Sequence, residues 1–354
     1  MRVCFPGAKH EFSTPEHSGT RRVMYELYNN LVAMKKQGII IDKVEFDRFP
    51  LLDGGIAPSI KSAFYDFSKY DIIHNLAIRP LSLLRKGNAV TLATVHDFRM
   101  LTTPDVNDEY QMNLKVRLGD YFILKGGAKF ALGCDYLCVS STQTENEAIS
   151  LGYKKDRIFL VNLGVDKRFI GKQPKKRIGK IFKIGHIGAL GTTKNIRFAV
   201  DAFNKLSSRN DIFEIWGNSL SSEYYKSLVD ASKSNRKIIF RGFAPEKDLV
   251  KIYDSFDVFV YPSKYEGFGL HIFEAQARGL PVIIYKDAMI PKEVRKYCME
   301  ARDEAEMAEM VEDIKENGYG EQKRREAMEY ARSFTWEKTA IRMIEVYNTV
   351  LAKN

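Results

Sequence analysis

The sequence predicts an α/β protein with two doubly wound parallel-sheet halves, on three observations. A chain of 354 residues exceeds one ordinary core and suits about two domains. Short apolar, β-branched runs alternate with stretches of helical spacing. That alternation runs through twice, interrupted by a Lys/Pro-rich segment around Pro174. Uninterrupted apolar strands between helices belong to a parallel sheet covered on both faces.

In the first half, residues 1–5 read as a strand, and Thr20–Gln37 as a helix. Val23, Leu27, Leu31 and Met34 lie at helical spacing there, with Gly38 as the stop. The runs YDIIHN, AVTLATVHD and YLCVSS follow as strands. The second half gives IFKIGHIG as a strand, Asn195–Leu206 as a helix, IFEIWG as a strand and Tyr224–Ser232 as a helix. KIIFRGF, VFVYPS and PVIIY complete it as strands. The tail FTWEKTAIRMIEVYNTVL sets Ile341, Ile344, Tyr347 and Leu351 on one helical stripe that must dock on something. Open parallel sheets bind ligands beyond the carboxyl ends of their strands, so two such halves are expected to hold a ligand in a cleft between them.

Bulk properties narrow the function. With 45% hydrophobic and 28% charged residues the composition is globular, neither disordered nor fibrous. No apolar run approaches the roughly 20 residues of a bilayer span, and MRVCFPGAKH is too brief for a signal peptide. A cytoplasmic protein is expected. Cys134 and Cys138 fall four apart, which in a strand puts both on one face. Without a second Cys/His cluster they read as buried apolar residues rather than metal ligands. The net charge is +10, yet residues 1–170 hold 23 Lys and Arg against 19 Asp and Glu. Much of the excess lies in Lys172–Lys183, with six basic residues and no acid. Such a linker suits solvent or peripheral contact with an anionic membrane face. No recognition helix, zinc finger or stacking aromatics accompany it, which excludes nucleic acid as the partner.

Chemistry concentrates in YPSKYEGFGLHIFEAQARGLPVII, from Tyr261 to Ile284. Pro262, Gly267 and Gly269 punctuate the end of a strand, and helical spacing resumes at Leu270, so Gly269, Leu270 and His271 open a helix. Free amides and a partial positive charge gather there and suit a diphosphate. Glu266 precedes the helix and Glu274 lies about a turn inside it. Carboxylates would repel a phosphate, so these two are expected to accept hydrogen bonds from neutral hydroxyls. A nucleotide sugar meets that description, with its ribose diol on Glu274, its diphosphate on the helix start and its sugar hydroxyls on Glu266. As a bare pair, two glutamates would be an ordinary loop charge and an ordinary helix residue.

The stretch EGFGLHIFEAQARGLPVI resembles, nearly position for position, the signature of the retaining GT-B-fold glycosyltransferases of the family 4 kind, glycosyl transferases group 1. The resemblance implies two facing Rossmann-like domains: an acceptor-binding domain at 1–170, a donor-binding domain at 171–335, and a helix at 336–354 that packs back on the first. It assigns the ribose to Glu274, the transferred sugar to Glu266, and the donor cradle to Gly267, Phe268, Gly269 and Leu270. FSTPEHSGTRRVMYEL is similar to the family's first Gly-rich loop, which places Gly19 and Thr20 near donor phosphate and acceptor. VTLATVHDF looks like the strand that ends in a catalytic-site histidine, here His96. Asp97 beside it is expected to cap its loop. The family's Asn-Gly-Val-Asp appears as Asn162-Leu163-Gly164-Val165-Asp166.

In IGHIGALGTTKNI, Gly188 and Lys194 match the loop that neutralises the leaving group, while the family's arginine is replaced by His186 or Thr193. Arg241 is a candidate for the missing charge. His10, His17 and His74 have no such context. No Asp-x-Asp occurs, so leaving-group stabilisation is expected without a metal or other cofactor. The co-substrate implied is a UDP- or GDP-type sugar and the acceptor a carbohydrate, lipid-linked or other hydroxyl, glycosylated with retention. Two other classes stay open. One is a catalytically inactive sugar-nucleotide binder. The other is a nicotinamide-dependent oxidoreductase, suggested by Gly185, Gly188 and Gly191, although these give G-x-x-G-x-x-G rather than G-x-G-x-x-G.

Overall fold

The computed structural model describes residues 1–8, 19–34, 38–46, 56–76, 79–103, 124–171, 181–206, 211–219 and 221–354. His10, His17, most of the first Gly-rich loop and nearly all of the basic segment lie outside the described residues. The chain divides into two compact units: the described residues up to Gly164 together with Trp336–Asn354, and Val165–Thr335. The boundary falls before residue 170 because Val165 bridges Thr335 and Asp166 caps a turn whose Arg168 pairs with Glu246.

In the first unit the described strands are β1 (Arg2–Ala8), β2 (Ile40–Phe46), β3 (Ile72–Asn75), β4 (Val90–Val95), β5 (Tyr136–Val139) and β6 (Ile158–Leu160). They form a parallel sheet in the order β2-β1-β3-β4-β5-β6. The helices are α1 (Gly19–Ala33), α2 (Ile56–Lys61), α3 (Arg99–Thr102), α4 (124–132) and α5 (Thr142–Ser150). Every residue of β3, β4 and β5 is buried, as sandwiching between two helical layers requires. β1 runs three residues past its expected end, through Pro6. Proline cannot donate to a ladder, and Pro6 lies beyond the residues of β1 that pair with β3, where only β2 is a neighbour. Ser141 caps α5 by accepting from Thr144 N.

The second unit contains β7 (Lys183–Ile187), α6 (Ile196–Asn204), β8 (Ile212–Trp216), α7 (Ser222–Ser232), β9 (Ile238–Gly242) and α8 (Leu249–Asp254). It continues with β10 (Val258–Tyr261), α9 (Leu270–Ala277), β11 (Val282–Tyr285), α10 (Lys292–Arg295), β12 (Met299–Ala301), α11 (Glu304–Asn317) and α12 (Glu321–Arg332). Its sheet is also parallel, in the order β12-β11-β10-β7-β8-β9. The chain leaves β7 toward β8 and leaves β10 toward β11, in opposite directions across the sheet. The carboxyl ends of β7 and β10 therefore flank a topological switch point, where open parallel sheets bind ligands.

The final helix, α13 (Trp336–Ala352), belongs to the first unit. Ala340, Met343, Ile344, Val346, Tyr347 and Val350 share a core with Val3, Phe5, Leu92 and Cys138. Ile341, expected on the docking stripe, points outward at 40% exposure. The three- and four-residue steps from Trp336 through Ala340, Met343, Tyr347 and Val350 define the buried face and pass it by. Cys134 and Cys138 are buried, as expected, but they do not share one face. Cys134 precedes β5 and packs with Leu137 and Val139, whereas Cys138 packs with Tyr136 on the other face. All four cysteines are free.

A buried polar tie fixes α13 to the sheet. His74 Nδ1 lies 2.8 Å from the Tyr347 hydroxyl and its Nε2 lies 2.7 Å from Thr94 Oγ1. Burial pushes this imidazole down to about 3, so it is neutral, with one nitrogen donating and the other accepting. Tyr347→Phe should cost about 1–3 kcal/mol, the usual consequence of leaving a buried polar atom unpaired. Urea unfolding at neutral pH checks it.

Candidate active site

The loops that leave β7 and β10 carry the site, and the backbone straps them together. Lys264 N donates to Thr193 O at 2.8 Å. Met289 N in turn donates to Lys264 O at 2.8 Å, and Glu266 N donates to Met289 O at 2.9 Å. The first loop ends in a 3-10 turn, Thr192–Lys194, followed by Asn195 at φ 53°, the one left-handed non-glycine among the described residues. Close approach demands a glycine at 217: a Cβ there would lie 1.7 Å from Gly188 O.

Across these loops Lys194 Nζ donates to Glu266 Oε1 at 2.6 Å. Glu266 is only 9% exposed. Burial pushes its carboxyl up, but the Lys194 charge and hydrogen bonds from Lys194, Ser263 and Tyr261 outweigh that and hold it below the usual carboxylate range. Tyr261 is fully buried. Burial first, and then the Glu266 charge, keep its phenol protonated as a donor. The Lys194 ammonium also lies 5.7 Å from the Tyr261 ring centroid, within cation–π range.

The next turn opens α9. Gly269 takes φ 93°, no side chain caps the helix, and no acid stands in its first turn, so the entry amides carry their partial positive charge unopposed. A Cβ on Gly269 would come within 3.3 Å of Val294 Cγ1 in a conformation that side chains avoid. Phe268 turns inward onto Phe273 and Phe334, which anchors the turn. Gly267 and Leu270 are half-buried. One turn on, Glu274 is 2% exposed, and its Oε2 accepts from Tyr253 OH at 2.8 Å and from His271 Nδ1 at 3.0 Å.

His186, one of the two residues in the arginine's place, is wholly buried, with Nδ1 3.0 Å from Val260 O. A carbonyl accepts, so the proton sits on Nδ1 and Nε2 keeps a lone pair. Burial pulls the imidazole down to about 3, against the hydrogen bond to Val260. The ring is neutral, stacks on Tyr261, and has no partner for Nε2 among the described residues. Thr193, the other residue in that place, is buried and uncharged. Arg241, the proposed source of charge, lies on edge strand β9 and its guanidinium is held by Glu214 at 2.8 Å.

In the first unit His96 follows β4. Both its ring nitrogens are buried without partners among the described residues, and burial pulls it down to about 4, against the charge of Asp97. Asp97 Oδ1 accepts from Arg99 N at 3.2 Å, a loop-capping contact. Gly19 and Thr20 are exposed at the start of α1.

The second unit thus brings together Lys194, Glu266 and the Gly267–Leu270 turn, with Glu274 inside α9. Sequence reasoning missed Tyr261, Tyr253 and the ring of His271 as members of this cluster. The tyrosines gave no signal beyond apolar strand and helix positions. His271 did, because three residues before Glu274 puts it on the same helix face.

Residues 166–334 match the family model of glycosyl transferases group 1, so the second unit is a glycosyltransferase domain of group 1 type. The O-antigen chain mannosyltransferase B of Escherichia coli is 26% identical over 279 residues, 74% of this chain and 71% of that protein. Among solved structures, sucrose-phosphate synthase of Thermosynechococcus elongatus superposes with a TM-score of 0.75 at 18% identity, over 100% of both chains. HepE of Anabaena, in complex with UDP and glucose, gives 0.71 at 15% identity, over 99% of this chain and 100% of that one. These superpositions identify the fold as GT-B.

Lys194→Met should cost roughly 3 kcal/mol, the low end for breaking a buried pair, because the lysine side chain is 22% exposed. Adding Glu266→Gln, which removes the stranded charge, should recover most of that loss. Chemical denaturation of both variants checks it.

Proposed function

We propose that this chain transfers a sugar from a nucleoside-diphosphate donor to a hydroxyl acceptor with retention of anomeric configuration. The observation that carries this function is the Lys194–Glu266 pair, 2.6 Å apart beside the uncapped start of α9. It sets a cation, helix-start amides and an ionised carboxylate beside one another at the switch point. In support, the E. coli relative is named a mannosyltransferase and the Anabaena structure holds UDP and glucose. The donor is then of UDP or GDP type. The second unit binds it, and the first unit with α13 binds a carbohydrate or lipid-linked acceptor.

In the reaction the bond between the anomeric carbon and the diphosphate oxygen breaks, and its electron pair stays on the diphosphate. Lys194 and the amides of the α9 entry stabilise that growing charge, and fixed donors of this kind usually lower the barrier more than any other feature of a site. A diphosphate draws Lys194 away from Glu266, which frees the carboxylate to accept hydrogen bonds from sugar hydroxyls. Glu274, already oriented by Tyr253 and His271, takes the ribose diol. The acceptor oxygen bonds to the anomeric carbon from the face the leaving group departs, and the leaving phosphate takes its proton. By the resemblance, His96 is the first unit's catalytic-site residue. The lack of an Asp-x-Asp triplet in the sequence favours leaving-group stabilisation by these groups without a metal. No described helix is long and apolar enough to cross a membrane, and the basic segment suits peripheral attachment on the cytoplasmic face.

A panel of UDP, GDP, ADP and CMP sugars, read by nucleotide release, should yield one preferred donor. Lys194→Met should lower kcat by about 100- to 1,000-fold, and NMR of the product should show the donor's anomeric configuration. A covalent sugar trapped on Glu266 would refute same-face transfer.

A further inference from the structure

Away from the candidate site, the two most exposed large apolar side chains among the described residues are Phe64, at 78%, and Leu84, at 80%. Both stand on segments of the first unit that are tied to each other. Ser82 N donates to Ser62 Oγ at 2.9 Å, Phe67 N donates to Arg85 O at 2.9 Å, and Arg85 pairs with Asp66 at 3.5 Å. We propose that this surface docks the protein on an anionic lipid bilayer, with Phe64 and Leu84 entering the headgroup layer.

The fold offers inward places for apolar groups here and gives them to other residues. Tyr65 and Leu83 pack onto the core of Phe46, Phe67 and Tyr70, while their chain neighbours Phe64 and Leu84 turn to solvent. Ile60, in the last turn of α2 and four residues before Phe64, adds a third apolar side chain at 45% exposure. An apolar side chain left in water forgoes the gain of burial. Three of them on adjoining segments, rimmed by polar residues, mark a contact face rather than ordinary surface scatter.

Charge selects the occupant. Lys61 adjoins Ile60, Arg85 and Lys86 follow Leu84, and the Lys69 ammonium lies 5.6 Å from the Tyr65 ring centroid. Against these four cations stand Asp66 and Asp71. Asp66 is met by Arg85, and Asp71 lies 3.9 Å from the amino terminus. The surface is therefore net positive. Lysine is depleted from protein–protein interfaces, but it suits a bilayer, where its stem lies along apolar groups and its ammonium meets lipid phosphate. Both segments run on into the amino ends of β3 and β4. A bilayer at this surface thus leaves open the carboxyl ends, where such sheets bind their ligands.

This inference deepens the peripheral attachment proposed above and is separate from sugar transfer. Co-sedimentation of the full chain with lipid vesicles tests it. The protein should bind vesicles that contain phosphatidylglycerol and should not bind vesicles of phosphatidylcholine alone. Phe64→Ser combined with Leu84→Ser should weaken that binding by roughly 100-fold, about 10-fold for each side chain withheld from the bilayer. Ile341→Ser, on the exposed side of α13, should leave it unchanged. Melting temperatures should stay the same, because Phe64 and Leu84 are in water already. Phe64→Trp should add fluorescence that lipids brominated in their acyl chains quench. Undiminished binding by the double variant overturns this surface and leaves attachment to the basic segment. A wild-type chain that ignores phosphatidylglycerol overturns the surface and the peripheral attachment together. Self-association that the double variant loses, without vesicle binding, gives the surface to a second copy of the chain and overturns the inference as well.

Discussion

Lys194 and Glu266 form a close ion pair in a setting that would otherwise suppress it. A carboxylate 9% exposed would shed its charge by taking up a proton unless a cation and donors stood around it. Here the ammonium, Ser263 and Tyr261 do so, and much of the surrounding architecture follows from meeting that demand. The loops after β7 and β10 must approach closely enough for the pair to form. Their backbones are therefore strapped through Thr193, Lys264 and Met289. The pair keeps Glu266 ionised while the lysine side chain stays 22% exposed.

Environment gives four histidines four characters. His74 is a satisfied core residue, with both nitrogens engaged and α13 held by one of them. His186 is a neutral stacking element under Tyr261. His96 is buried at a strand end with neither nitrogen engaged among the described residues. His271 is partly exposed with a carboxylate behind it. The same side chain is a structural post where hydrogen bonds engage both nitrogens, and a carboxylate's partner where solvent reaches it.

The sheets explain why the cluster lies where it does. With β7 beside β10 and the chain leaving them in opposite directions, a gap opens at their carboxyl ends that connecting loops cannot fill. Glycines at 188, 217 and 269 let main chain replace side chain around that gap. Beneath, β10 is apolar and buried on both faces and holds the loop ends in fixed relation.

The central strands and both glutamates were legible in the sequence, because parallel strands buried on two faces read as apolar runs and a turn of glycines before a helix leaves its own mark. The edge strands β2, β6 and β12 were not, since a short or half-exposed strand has no such run. Nor was the true docking face of α13, because helical spacing fits neighbouring stripes and the sheet chose the one without Ile341. Local pattern marked the candidate groups for an anion and for hydroxyls. Which of them carry charge was decided only by folding, which fixed that Arg241 meets Glu214, that His186 is dry and neutral, and that Lys194 meets Glu266. Ionisation depends on burial and on partners distant in sequence, and neither exists until the chain has closed on itself.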